Sequence, residues 1–187
     1  MGWRQSLLRK TMRKQKKTSA RKGKSAMFYL ILSAIVWLAP TQPHETTKTY
    51  ADLVKFESRW YGVDPLLVVA IIQVESGWNT RKRSKTNDYG LMQVHVARRG
   101  SSNFWRREKE LYDPRTNIRE GTRLLAMWKR YHERWCKGDH PYWAHYKWGK
   151  KVGEISHALK VLKLRDFLAR KFRPKSDSYT ASLARAE

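Results

Sequence analysis

Apolar positions along the chain fall into five runs with near-helical spacing, separated by polar stretches that carry proline or glycine. The first, Met27 to Ala39, is uncharged and closed by Pro40. Tyr50, Leu53, Val54, Phe56 and Trp60 predict a helix that Gly62 stops. Asp64-Pro65 then supplies an N-cap followed by proline at the first helical position. Leu66 to Val74 is apolar all round apart from Gln73, as suits a helix in the middle of a domain. Val68, Val69, Ile71, Ile72 and Val74 are β-branched, so a buried strand competes, but the cap and the length favour helix. Gly77 should end it. From Ile118 onward, Gly121, Leu124, Leu125, Trp128, Tyr131 and Trp135 recur at three and four as a core-facing stripe that Gly138 breaks. Glu154 to Phe172 reads as a last amphipathic helix through Ile155, Ala158, Leu159, Leu162, Leu168 and Phe172. The pattern predicts a mainly α domain.

With 187 residues and 41% apolar content, the chain has room for one domain plus appendages. That domain is expected over 50–172, after a polar linker at 41–49 and before a disordered tail at 173–187. Residues 1–26 form a basic arm, and 27–40 read as a signal-peptide core or signal anchor. Thirteen helical residues span only about 20 Å, against about 30 Å of bilayer hydrocarbon. A signal core therefore fits better than a spanning helix, although Pro40 and Pro43 crowd the place for a cleavage site and leave a retained anchor open. The basic arm would stay cytoplasmic and the rest would lie in the periplasm or cell envelope, with membrane association possible through 27–39. A core helix preceded by a nucleic-acid tail is the weaker reading.

Charge adds a partner class. Forty Lys and Arg face sixteen Asp and Glu; the first 26 residues hold ten of the bases and no acid, so the body is basic in its own right. An anionic cell wall, nucleic acid or lipid headgroups would each suit it, and charge alone does not choose. Cys136 is the only cysteine, which rules out an intrachain disulfide.

The candidate chemistry centres on Glu75, in the last turn of the 65–76 helix. The negative end of the helix dipole and apolar surroundings both disfavour a carboxylate, so its pKa is expected to rise. A carboxyl group protonated near neutrality can give its proton to a leaving oxygen, as glycosidic cleavage requires. An isolated glutamate at a helix end is more often solvated and idle.

Glu75-Ser76-Gly77-Trp78-Asn79, Ser84 and Gly90-Leu91-Met92-Gln93 resemble the signature of the soluble lytic transglycosylase (SLT) domain, a relative of goose-type lysozyme. The resemblance continues through Asp113-Pro114, Asn117-Ile118 and Gly121, and through Ala144-His145-Tyr146-Lys147-Trp148-Gly149, covering about 50–172. It implies a lysozyme-like helical domain with a cleft for peptidoglycan glycan strands. It also implies that Glu75 acts as acid and then base, leaving a 1,6-anhydro sugar end, with no cofactor. Under the same resemblance Ser76, Ser84, Tyr89, Met92, Gln93 and Tyr146 are the substrate-binding or orienting candidates. For the serines the bland alternative is local capping, and for Met92 core packing. Lys147 stands where the family has asparagine, and a cation there would weaken the acid step by keeping Glu75 ionised. Goose-type lysozymes carry an Asp where this chain has His95; Asp88 is the nearest candidate for a second carboxylate, though a turn role is commoner. That favours a transglycosylase over a hydrolase. A hydrolase of the same bond and a non-catalytic wall- or nucleic-acid-binding protein are the rivals; nucleic acid is disfavoured as a partner, and a monomer is expected.

Two further groups of residues carry chemistry. Arg98, Arg99, Arg106 and Arg107 around Phe104-Trp105 read as a solvated basic face rather than a nucleic-acid surface. His132, Cys136, His140 and His145 invite a metal, but their spacing matches no common zinc motif. A buried thiol with surface histidines is the expectation there, and no metal is assigned.

Overall fold

The computed structural model describes residues 26–96, 108–136 and 138–172. Its helices are α1 (26–38), α2 (His44–Tyr61), α3 (Pro65–Ser76), α4 (Pro114–Trp135), α5 (Ala144–Trp148) and α6 (Ser156–Lys171). A 3-10 turn, Glu108–Tyr112, precedes α4. Strands β1 (Asp88–Tyr89) and β2 (Val94–His95) pair antiparallel, with Asp88 opposite His95 and Tyr89 opposite Val94. This mainly helical architecture fits the lysozyme-like α class expected from the sequence.

Helix α3 is the central element. Leu66 through Ile72 are all buried, so every face of its first two turns is covered. Asp64 caps it by accepting from the Leu66 amide at 2.9 Å, and Gly77, at φ 57°, ends it in the left-handed region as expected. Helix α6 packs along α3, while α2 packs against both α3 and α4. Helix α4 opens on a second Asp-Pro start, with the Asp113 carboxylate accepting from the Thr116 amide at 2.8 Å.

Several boundaries differ from the sequence reading. The polar stretch assigned as a linker at 41–49 is helical from His44, the first two turns of α2. Glu45 in the first turn suits the positive helix end, and its carboxylate pairs with Lys48 at 2.8 Å. Thr47 is buried, its hydroxyl donating to the His44 carbonyl. Helix α4 stops at Trp135, before Gly138, and its last turn overruns the core: Trp135 is 70% exposed rather than core-facing. Phe56 and Trp60 also point outward, stacked on each other at 6.4 Å.

The apolar run at 27–39 lies against the domain. Ile31, Ala34 and Ile35 have no exposed surface, and Trp37 meets Phe167 of α6 at 5.1 Å. Positions 31, 34 and 35 share one helical face, so the stripe that reads as membrane-seeking also fits a groove in the core. Among the described residues no helix is long and apolar enough to cross a membrane. The basic arm through residue 25, the insertion carrying Arg98, Arg99, Phe104, Trp105, Arg106 and Arg107, and the tail from 173 lie outside the described residues.

Candidate active site

Because Gly77 breaks α3 just beyond it, Glu75 sits where the helix leaves the core, and its side chain is only 18% exposed. Its Oε1 stands 3.1 Å from Nε2 of His157, on the first turn of α6. At the far end of the same pair of helices, Arg165 of α6 holds the α3 cap, with Nε 2.6 Å from Oδ2 of Asp64. Two polar ties therefore fix the α3–α6 register, one of them through the candidate acid. The Lys82 ammonium donates to the Glu75 main-chain carbonyl, which anchors the following loop to the helix end.

The Gly-Leu-Met-Gln strip is held by a side chain that received no individual role in the sequence reading. Asn117, fully buried in the first turn of α4, accepts from the Met92 amide at 2.7 Å. Its Nδ2 donates to the Tyr89 carbonyl at 2.8 Å and to the Leu111 carbonyl at 2.7 Å. Gly90 is required here: at φ 74°, any Cβ would collide with Asn117 Nδ2 and the Leu111 carbonyl. Gly121 is likewise fitted to Met92, since a Cβ there would overlap the thioether.

The expected site residues divide. Tyr146 is brought to the strip, its hydroxyl donating to the Met92 carbonyl at 2.9 Å. Burial, and after it the charges of Glu75 and Asp88, raise its phenol well above the ordinary tyrosine range. Tyr146 is thus a neutral donor within the electrostatic reach of Glu75. Met92 is fully buried and packs against Gly121, the core role weighed for it. Gln93, at φ 49°, directs its amide nitrogen to the Gly90 and Lys82 carbonyls at 2.9 and 3.1 Å. Tyr89, read as a glycan contact, is 5% exposed: its ring packs edge-on to Tyr112 with the Arg83 guanidinium over it.

Both serines are engaged locally. Ser76 Oγ donates to the Ile72 carbonyl and accepts from the Trp78 amide, closing the helix end. Ser84 Oγ donates to Asp88 at 2.6 Å and accepts from the Asp88 and Thr86 amides, shaping the turn into β1. Asp88 in turn meets Thr86 at 2.6 Å and His95 at 2.8 Å. Burial pushes the Asp88 carboxyl up, but bonds from Ser84, Thr86 and His95 outweigh it and leave its pKa lowered. Lys147 turns to the Trp148 ring, 5.7 Å away.

His157 was missed in the sequence because nothing local marks it. It is one polar residue in the first turn of an amphipathic helix, and only the packing of α6 on α3 gives it a partner.

A largely buried carboxyl at the end of a core helix, close to a histidine and within the electrostatic reach of a phenol, is a candidate site for acid–base chemistry. Residues 52–140 match the model of the transglycosylase SLT domain family. That family is one of lytic-transglycosylase-type cell-wall enzymes, whose substrate is peptidoglycan. The match ends before α5 and α6, so Tyr146 and His157 come from chain beyond it.

Proposed function

We propose that this protein is a peptidoglycan lytic transglycosylase in which Glu75 is the single acid–base group. The observation that carries the reading is the placement of Glu75 at the α3 end, 18% exposed and 3.1 Å from His157, with Tyr146 tying the neighbouring Gly-Leu-Met-Gln strip into the same region. Protonated Glu75 gives its proton to the oxygen between N-acetylmuramic acid and N-acetylglucosamine as the bond to the muramic C1 breaks. The resulting carboxylate then takes the proton from the muramic C6 hydroxyl while that oxygen bonds to C1. The enzyme returns to its starting state and a 1,6-anhydro end is left. Nε2 of His157, 3.1 Å from Oε1, holds that oxygen in place, which leaves the other carboxyl oxygen to carry and recover the mobile proton. His157 is a positioning residue in this scheme.

Hydrolysis by the common inverting or retaining routes needs a second carboxylate. The nearest one anticipated, Asp88, is fully engaged by Ser84, Thr86 and His95, which supports intramolecular capture by the sugar hydroxyl. Action in the cell envelope, with the basic body adhering to an anionic wall, completes the proposal. Mass analysis of glycan ends released from purified sacculi tests it. Ends one water lighter than reducing sugars are expected. Reducing ends would make the protein a hydrolase, and no new ends would remove the enzymatic reading.

A further inference from the structure

The spacing of His132, Cys136, His140 and His145 follows no common zinc motif, yet the fold brings all four together. His132 lies in the last turn of α4, Cys136 is its C-cap, His140 lies in the following loop and His145 in α5. One donor atom from each converges, and all four lie within 4.8 Å of one another. His140 Nε2 is 3.3 Å from His145 Nε2, His132 Nδ1 is 3.4 Å from that same atom, and Cys136 Sγ is 3.6 Å from His140 Nε2.

Those separations have a geometric meaning. Zn–N bonds of about 2.0–2.1 Å and a Zn–S bond of about 2.3 Å give tetrahedral edges of about 3.3–3.4 Å between nitrogens and about 3.6 Å between nitrogen and sulfur. Three of the six edges already have these lengths, and torsion of the part-exposed side chains is enough to draw in the rest. Hydrogen bonding among the rings does not account for the convergence. His145 Nδ1 is 2.7 Å from the Gly149 carbonyl, which can only accept, so the proton of the neutral ring sits on Nδ1 and Nε2 is a bare lone pair. Two imidazoles crowd that one lone pair. A carbonyl holding the remote nitrogen of a histidine is also the arrangement that orients metal-ligating rings.

The surroundings suit an ion. His145 is fully buried, not the surface histidine expected, and it stacks on Trp128 at 5.4 Å with Tyr131 edge-on at 5.3 Å. Gly138 permits the close pass of the loop, since a Cβ there would collide with the His140 ring.

We propose that His132, Cys136, His140 and His145 form a closed, four-ligand structural zinc site. The Cys136 thiol gives its proton to solvent as the sulfur–zinc bond forms. With every tetrahedral position taken by protein, the metal has no open position for substrate. Its work is to clamp α5 to the end of α4, and His145 directly precedes Tyr146, whose hydroxyl ties into the Met92 strip. The site stands independently of the glycan-cleaving proposal.

The test uses the full chain without a metal-affinity tag, stripped with chelator and then titrated with Zn2+ or Co2+. Stoichiometric zinc is expected, with a higher melting temperature on loading. Cobalt should give the intense visible bands of a four-coordinate ion and a near-ultraviolet thiolate-to-metal band. His140→Ala should weaken zinc binding at least about tenfold, and Cys136→Ser should abolish the thiolate band. If Cys136→Ser does not fold, the wild-type cobalt spectrum decides alone. A six-coordinate cobalt spectrum with protein in excess, a thiolate band that survives Cys136→Ser, or equal zinc affinity in wild type and His140→Ala would each overturn the proposal.

Discussion

Glu75 and His157 meet at 3.1 Å across the α3–α6 interface, both about four-fifths shielded from solvent. The contact joins the C-terminal turn of one helix to the N-terminal turn of the other, and the Asp64–Arg165 pair closes the opposite end. The position of the carboxyl is therefore set by helix packing rather than by its own loop.

Glu75→Gln keeps the shape of the side chain and removes the transferable proton. Release of soluble fragments from purified sacculi is expected to fall by about 10²–10⁴-fold, the usual weight of general acid–base catalysis. Circular dichroism and melting temperature should stay close to wild type, which separates lost chemistry from lost fold.

His157→Ala should lower kcat by up to about a hundredfold through misplacement of the acid, with KM nearly unchanged. His157→Gln keeps a polar group against Oε1 and should recover part of the rate, and the pH profile of kcat should change shape only when that contact is lost. Arg165→Ala, at the other end of the helix pair, should reduce stability while leaving that profile alone. Equal effects of all three on the profile would argue against a positioning role.

Asn117→Ala strips three partners at once from buried backbone groups of Met92, Tyr89 and Leu111. A loss of roughly 2–4 kcal/mol is expected by urea unfolding. Gly90→Ala should be comparably damaging, because strain at φ 74° adds to the collision with Asn117.

Asp88 makes the turn at 84–88 acid-sensitive. Its carboxyl has a lower pKa in the fold than its ordinary value of 3.8, so its contribution is complete above that value. The contribution is lost as pH falls through the lower, folded value. Asp88→Asn should therefore be less stable than wild type at pH 7, with the gap closing in strong acid. Melting temperature measured across that range would show it.

Tyr146 behaves oppositely. Its phenol is held neutral well above the ordinary value of 10.0, first by burial and then by the Glu75 and Asp88 charges. The unfolded chain ionises first, so stability present below about pH 10 drains away above it. Tyr146→Phe should flatten that alkaline decline, at the cost of roughly 1 kcal/mol near neutrality for the bond to Met92.

What could be read in advance was local. The Asp64-Pro65 start and the left-handed stop at Gly77 are written in neighbouring residues, and α3 formed there. Helix α6 formed too, but it buries Ala158, Val161 and Leu168 while Leu159 of the expected stripe is exposed. The serines and Gln93 illustrate the limit: their residue types allowed a substrate contact or a local bond, and only coordinates show their polar atoms turned to the backbone. Tyr89 packs inward against Tyr112, and in sequence an aromatic beside a glycine motif is indistinguishable from one that faces a ligand. His157, Asn117 and the cluster around His145 depend on partners brought close by tertiary packing. No periodicity or spacing rule reports such distances.

The packing of α1 sets a choice for the whole chain. Ile31, Ala34 and Ile35 cannot lie in hydrocarbon and in this core at once. If a bilayer or a signal peptidase claims the segment, the surface it vacates, including Phe167 beneath Trp37, meets water instead. Departure of one short greasy helix would thereby change how the remaining domain sticks, melts and associates.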